Sequence, residues 1–236
     1  MSQSLSGRTR LAIAPGTNVS SAPLSRATWS SEARAPFSRA AKRSVDLAVS
    51  LVGLALLALP MLLVAVLIRA DSRGPALFRQ TRIGRDGVPF TIWKFRTMYA
   101  HVAPAGRLCQ ARPRDPRVTR VGAWLRRTSF DELPQLMNVL RGEMSLVGPR
   151  PHAPGTCAAG VPFEDVTSHY ARRHAVRPGL TGLAQVRGWR GETDTVEKLL
   201  GRVDSDLEYI EAWSLWLDIA ILMRTLGIVV KDRNAY

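Results

Sequence analysis

Residues 47 to 68 read LAVSLVGLALLALPMLLVAVLI, 22 positions without a charged side chain. As a helix this run is about 33 Å long, close to the thickness of a bilayer's hydrocarbon core. A buried helix of a soluble protein rarely stays uncharged for so long, so the run predicts membrane contact. Its flanks constrain how it sits. Arg26, Arg34, Arg39, Lys42 and Arg43 precede it, and Arg69, Arg73, Arg79, Arg82 and Arg85 follow. Basic residues beside membrane segments tend to stay cytoplasmic, and here both flanks carry them. Pro60, inside the run, removes a backbone donor and predicts a bend. A re-entrant helix over about 44–69, turning at Pro60 and returning to its own face, satisfies both observations. A straight spanning helix satisfies neither and stands as the alternative.

The rest of the chain is strongly basic, with a formal net charge of +14 over 236 residues. That balance calls for an anionic partner: phospholipid, a phosphorylated substrate, or nucleic acid. Residues 1–41 are rich in Ser, Ala, Arg and Pro with few large apolar side chains, and read as a flexible basic arm. Residues 42–236 are enough for one domain with a sizeable core. Two cysteines, Cys109 and Cys157, form no disulfide framework or metal spacing, so a reducing, cytoplasm-facing compartment is expected.

The pattern beyond the apolar run predicts an α/β but mainly helical domain. ALFRQTRIGRDGVPFTIWKFRTM, residues 76–98, reads as a β-hairpin about Asp86-Gly87. Residues 98–116 look like a loop. Short helices are expected over Val118–Arg126, Asp131–Leu140 and Phe163–Arg173, an extended stretch over 176–188, and helix from Thr193 almost to the end. In that last region Tyr209, Trp213, Trp216, Ala220 and Met223 form one stripe, with Glu211, Ser214 and Asp218 opposite. The stripe fits either a core-facing helix or an amphipathic helix lying in the headgroup layer.

Asp131 and Glu132 sit side by side among arginines. One account is local: Ser129 and Glu132 have capping-box spacing, acidic residues suit a helix's first turn, and Pro134 is tolerated there. The other is chemical. A carboxylate near Arg126, Arg127 or Arg150 stays ionised, and an ionised aspartate can attack phosphorus. Spacing alone leaves both accounts open.

Longer stretches carry a resemblance. KRSVDL (42–47), KFRTM (94–98), DPRVTRVGAWLRRTSFDELPQLMNVLRGEMSLVGPRP (115–151), VRPGLTGLAQV (176–186), GWRGETDT (188–195) and YIEAWSLWLDI (209–219) resemble the bacterial monotopic phosphoglycosyl transferases. The resemblance covers most of the chain after the arm, in the family's order. It implies transfer of a hexose-1-phosphate from a UDP-sugar to undecaprenyl phosphate at the cytoplasmic face of the bacterial inner membrane, through a covalent aspartyl intermediate, with release of UMP and assistance by Mg²⁺. It implies Asp131 as nucleophile, Glu132 beside it, and both as metal-holding groups. Arg126 and Arg150, and with them Lys94 and Arg177, fall to substrate phosphates; Asp206 and Gln185 are further polar candidates, and Pro60 is the break in the re-entrant helix. The expected partners are the UDP-sugar, undecaprenyl phosphate and membrane lipids, with no nucleic acid; a homodimer is left open. GWRGETDT looks most like the branch handling UDP-glucose, with UDP-galactose next.

Three positions depart from the family's pattern. Leu59 precedes the helix-breaking proline where Ser is common, and Leu183 and Arg187 replace an expected Trp and Asn. Larger relatives add an amino-terminal domain of spanning helices, and this chain reads as the catalytic unit alone. Two other functions fit parts of the sequence. A membrane-anchored basic protein gripping anionic lipid or nucleic acid explains the charge and the apolar run, but leaves the acidic pair idle. A metal-dependent UDP-sugar hydrolase uses the pair without a lipid acceptor.

Overall fold

The apolar run lies within a 36-residue helix, α1 (Pro36–Asp71), which continues through Pro60. A computed structural model describes residues 36–100, 115–191 and 193–231. The expectations for residues 1–35, for most of the 98–116 loop and for Cys109 lie outside the described residues. Residues 36–41, grouped with the arm by composition, are the first turns of α1. Among the described residues this is the one helix long and apolar enough to cross a membrane, with mean hydropathy 2.9 in its most apolar window. Only 11% of that window is buried, the reverse of a soluble core helix.

Its packed face is a single stripe. Asp46, Ser50, Val64 and Ile68 are buried, and Leu57 and Met61, between them, are half-buried. These positions recur at steps of three and four on both sides of Pro60, one side of a helix. Leu51, Val52, Leu56, Leu59, Leu62, Leu63, Val66 and Leu67 are exposed. Both ends of α1 are tied to the same folded body. Lys42 donates to the carbonyl of Val147 at 3.2 Å and to Asp218 at 2.6 Å, while Arg43 donates to the carbonyls of Val139 and Leu140 at 2.7 and 2.9 Å. Asp46 accepts from the Ser145 hydroxyl at 2.8 Å and the Leu146 N–H at 3.0 Å. At the far end Arg96 donates to the carbonyls of Ser72 and Arg73, just past the helix, at 2.7 and 2.5 Å, and to that of Ile68 in its last turn at 3.3 Å.

After α1 comes the expected hairpin, β1 (Leu77–Ile83) and β2 (Pro89–Phe95), antiparallel, with Thr81 opposite Thr91 and Phe78 opposite Lys94. Asp86 and Gly87 turn the chain at φ of 56° and 76°, the left-handed region such a turn requires. The free edge of β2 is covered by Asn138, which accepts from the Trp93 N–H at 3.1 Å and donates to the Thr91 carbonyl at 2.7 Å.

Helix α2 (Arg120–Thr128) is capped by Thr119, whose hydroxyl accepts from the Gly122 N–H at 2.9 Å. A 3-10 turn (Phe130–Gln135) and α3 (Leu136–Arg141) then stand where one helix was expected over Asp131–Leu140. Strand β3 (Ser145–Val147) pairs in parallel with a later strand, Gly179–Thr181, and a two-residue hairpin joins β4 (Cys157–Ala158) to β5 (Val161–Pro162). The helix expected over Phe163–Arg173 is broken at Thr167–His169 into α4 (Phe163–Val166) and a 3-10 turn (Tyr170–Ala175). Strand Gly179–Thr181 is β6, and the short α5 (Leu183–Val186) follows it, in a stretch expected to be extended.

The carboxy-terminal region is two helices, α6 (Val196–Glu211) and α7 (Leu215–Lys231). The break between them divides the stripe expected there. Tyr209 and Trp213 are buried in the main core with Val139, Leu146, Val147 and Ile221. Asp218, expected on the opposite face, is also buried, and accepts from Tyr209 at 2.8 Å, Trp213 at 3.2 Å and Lys42. Trp216, Ile219, Met223 and Leu226 are exposed along one face of α7, with Trp216 80% accessible. Core and outward-facing apolar helix are therefore both present, on different segments.

Candidate active site

Helix α2 ends at Ser129, whose left-handed backbone (φ 58°) lets its N–H return to the Arg126 carbonyl at 3.2 Å. Its side chain caps nothing in the following 3-10 turn. The capping-box account of Ser129 and Glu132 is therefore incorrect. The Glu132 carboxylate turns to the hairpin and to the Pro-Arg-Pro segment instead. It accepts from Lys94 Nζ at 2.7 Å and from Arg150 Nη1 at 3.0 Å, with a second bond from Arg150 Nη2.

Asp131 has a different environment. Its side chain is 13% exposed, Lys94 Nζ is 4.0 Å away, and among the described residues it accepts no hydrogen bond. Burial pushes its pKa up, helped by the Glu132 charge, while Lys94, Arg150 and Arg126 pull it back; the balance is about 6. Burial works on Glu132 in the same sense, but the Arg150 and Lys94 charges and their hydrogen bonds hold it well below the usual carboxylate range. The expectation that nearby arginines hold Asp131 firmly ionised is thus only half met. The neighbouring glutamate takes the closest cations, and Asp131 is left as a carboxylate without a hydrogen bond among the described residues, largely charged at neutral pH.

Two glycine-rich contacts place Arg150. Gly148 N–H donates to the Thr181 carbonyl and Gly179 N–H to the Pro149 carbonyl, each at 2.9 Å. A Cβ on Gly179 would collide with the Gly148 backbone, so this crossing of β3 and β6 requires glycine. Beneath the turn, Arg173 is buried at 2% exposure and pairs with Asp206 at 2.6 Å. Arg173 also donates to the Arg150 carbonyl at 2.6 Å and to His152 Nδ1 at 2.7 Å. Arginine only donates, so His152 Nδ1 is the unprotonated nitrogen. Burial, then the Arg173 charge, keep this histidine well below its ordinary pKa, and it is neutral.

Asp131, Glu132, Lys94 and Arg150 are thus brought together as expected. Arg126 lies close enough to lower the Asp131 pKa. Asp206 is near the site but occupied by Arg173. Arg177 lies apart, its surroundings set by Arg43, Arg85 and Asp46. Gln185 is buried below the Gly148–Gly182 contact and donates to the Leu180 carbonyl at 3.2 Å. Leu183 fills the main core, and Arg187 pairs with Glu208 on the surface. Arg190 of GWRGETDT reaches the Ser129 hydroxyl at 3.4 Å, which brings that stretch beside the acidic pair. Sequence reasoning passed over Arg173 and His152, which support the Arg150 turn. The only local signal was His152, which directly follows the Pro-Arg-Pro turn.

Among the described residues no three His, Cys, Asp or Glu side chains converge as a metal cage. Mg²⁺ bound with a phosphorylated substrate needs only one or two carboxylates, because phosphate and water complete its shell. Asp131 fits that mode, with Glu132 as the second donor at the cost of its contact to Lys94.

A carboxylate without a hydrogen bond, a cation-locked neighbour and a buttressed arginine turn are thus assembled in one place, in a chain whose sequence is similar to that of known proteins. Undecaprenyl-phosphate glucose phosphotransferase of Komagataeibacter xylinus is 52% identical over 195 residues, 83% of this chain and 37% of that protein. UDP-glucose:undecaprenyl-phosphate glucose-1-phosphate transferase of Caulobacter vibrioides is 51% identical over 195 residues, 83% of this chain and 72% of the relative. Exopolysaccharide production protein PSS of Rhizobium leguminosarum is 48% identical over 185 residues, 78% of this chain and 92% of the relative. The chain thus spans under two-fifths of the first of these and most of the third. The profile of the bacterial sugar transferases matches residues 37–232, a range that holds α1, the hairpin, the acidic pair and its arginine turn, and the chain belongs to that family.

Proposed function

We propose that this chain transfers glucose-1-phosphate from UDP-glucose to undecaprenyl phosphate. The observation that carries the reading is the unequal treatment of two adjacent carboxylates. Glu132 is consumed by Lys94 and Arg150, while Asp131, buried to a similar degree, accepts no hydrogen bond among the described residues. An oxygen of Asp131 attacks the phosphorus bonded to glucose, and the bond from that phosphorus to the bridging oxygen breaks, releasing UMP. A phosphate oxygen of undecaprenyl phosphate then attacks the same phosphorus, breaks the acyl-phosphate bond and regenerates the carboxylate. Lys94, Arg126 and Arg150 offset the charge that gathers on the phosphates. Glu132 holds Lys94 and Arg150 in place for that work. Mg²⁺, when bound with the diphosphate, supplies further charge neutralisation. A basic lipid-binding surface alone gives no use for a raised-pKa aspartate without a hydrogen bond among the described residues.

The membrane seating follows from α1. That both of its ends bind one folded body supports a domain lying on one side of the bilayer, and basic flanks favour the cytoplasmic face. The exposed apolar faces of α1 and α7 enter the lipid, α1 as a re-entrant segment turning near Pro60 and α7 along the headgroup layer.

The test uses UDP-glucose labelled at the phosphorus bonded to glucose, with Mg²⁺ and without lipid. The protein acquires label that survives denaturant, is released by hydroxylamine and is chased by undecaprenyl phosphate. No label on the wild-type chain, with turnover intact, excludes the covalent route. UDP-glucose cleavage that ignores the lipid acceptor would favour the hydrolase.

A further inference from the structure

The two sides of α7 do different work. Trp216, Ile219, Met223 and Leu226 are exposed on one, while Asp218, Ile221 and Thr225, at steps of three and four, meet the folded body on the other. The Thr225 hydroxyl lies 2.7 Å from that of Thr181. It gives its own proton to the Ile221 carbonyl at 2.8 Å, so Thr181 is the donor of the pair. Asp218, also buried, binds Lys42 at 2.6 Å and the Tyr209 hydroxyl at 2.8 Å.

Both contacts lead to one pair of strands. Val147 of β3 and Thr181 of β6 stand opposite each other. The Val147 carbonyl accepts from Lys42 at 3.2 Å and has the Tyr209 hydroxyl 3.1 Å away, so two of the side chains that Asp218 binds also meet this carbonyl. Tyr209 has one proton to give and lies between the two acceptors. From the same strand ends the chain runs directly into the arginine turn. Gly148 N–H donates to the Thr181 carbonyl, Pro149 accepts from Gly179 N–H, and Arg150 follows, its guanidinium bound to Glu132 beside Asp131. A two-stranded sheet is marginal by itself, so where β3 and β6 end depends on the side chains that grip them. Asp46 of α1 holds the Ser145 hydroxyl and the Leu146 N–H at the start of β3. Asp218 and Thr225 of α7 act at its end, next to the turn.

We propose that Asp218 and Thr225 are positioning residues, which fix the ends of β3 and β6 and through them the placement of Arg150. Asp218 works through Lys42 and Tyr209 on Val147, and Thr225 works directly on Thr181. The role given to Arg150 rests on the transferase reading above.

The experiment uses the chain in lipid nanodiscs and two readouts. One is the rate at which UDP-glucose, labelled at the phosphorus bonded to glucose, tags the protein with Mg²⁺ and no lipid acceptor. The other is amide hydrogen exchange without substrate, followed in segments 145–151 and 179–182 and, for comparison, in the hairpin 77–95. Thr225→Val keeps the shape and loses the hydroxyl, whereas Thr225→Ser keeps the hydroxyl and loses the methyl group. Thr225→Val slows labelling about 3- to 10-fold, on the scale of one neutral hydrogen bond. It also speeds exchange in the two strand segments by a similar factor and leaves the hairpin unchanged. Thr225→Ser stays within about twofold of wild type in both readouts. Asp218→Asn slows labelling about 10- to 100-fold with the same local exchange pattern. The reverse order, with Thr225→Ser impaired and Thr225→Val unaffected, would make Thr225 a packing residue and overturn the proposal. Wild-type behaviour in every variant, or faster exchange spread through the hairpin as well, overturns it too. If Asp218→Asn does not fold, the Thr225 pair decides alone. Absence of label on the wild-type chain would sink the covalent transferase reading, and the exchange comparison would still decide the positioning.

Discussion

Replacing the two adjacent acids by their amides should move stability in opposite directions. Asp131→Asn keeps shape and removes a carboxylate whose pKa is raised from 3.8 to about 6. A shift of about two units corresponds to at most about 3 kcal/mol, because each unit is about 1.4 kcal/mol between charged and neutral forms. The folded chain binds this proton more tightly than the unfolded chain, so the native state loses stability as pH rises from about 4 to about 6 and pays the full penalty above that. The amide is free of it. For a chain of this size the melting temperature should rise by about 2–10 °C at pH 7.5. Glu132→Gln leaves Lys94 and Arg150 facing one carboxylate fewer, a loss of about 2–3 kcal/mol once Lys94 swings to Asp131, and a fall of about 4–12 °C. Glu132 has a depressed pKa, so its contribution is present above about pH 4.5 and fades as pH falls below it. Thermal unfolding in detergent with chelator and no substrate, at pH 4 and 7.5, reads both. The Asp131→Asn gain should vanish at pH 4. Two shifts of the same sign at pH 7.5, or an Asp131→Asn gain independent of pH, would refute the reasoning, while the transferase activity of Asp131→Asn should fall by several orders of magnitude in either case.

Three further outcomes follow from other parts of the molecule. The acid limb of kcat/KM for UDP-glucose should fall near pH 6, where Asp131 takes up its proton, and a limb near pH 4 would contradict the raised pKa. Arg173→Met should destabilise by about 3–5 kcal/mol because it strands the buried Asp206 charge, and adding Asp206→Leu should restore much of the melting temperature without restoring kcat, since Arg150 has lost its support. Single cysteines at Ser30 and Arg73, in a chain lacking Cys109 and Cys157, should both be shielded from an impermeant thiol reagent in intact cells; labelling of one alone would mean that α1 crosses the bilayer.

Periodicity and turn chemistry made part of this fold readable. The hairpin was visible because Asp86-Gly87 separates two strand-like runs, and its register follows from that turn. The apolar run was visible because nothing soluble needs 22 uncharged positions. What local pattern missed lies in long-range contacts. α1 gains two turns before Lys42 in residues whose composition resembles a flexible arm. The stripe from Tyr209 to Met223 obeys one helical period on paper, yet the chain breaks at Ala212–Ser214, where Asp218 is drawn inward by Lys42, 176 residues away. An aspartate that reads as solvent-facing is the point at which α1, α6 and α7 are tied together.

The acidic pair shows the same limit at the site. Ser129-x-x-Glu132 has the spacing of a cap, and spacing is all that a local reading can weigh. The deciding facts are that Ser129 takes a left-handed backbone to close α2, and that Glu132 finds two cations from segments 38 residues before it and 18 after it. Arg173 and Asp206, 33 residues apart, hold the carbonyl of one of those cations in turn. Each link is a pairing of charges across the fold, invisible to periodicity, and its effect is to make two chemically similar neighbours unlike. One carboxylate is held charged and engaged by its ion pairs. The other, left with burial and a negative neighbour, is raised towards the pH at which it must work, and its oxygens accept no hydrogen bond among the described residues.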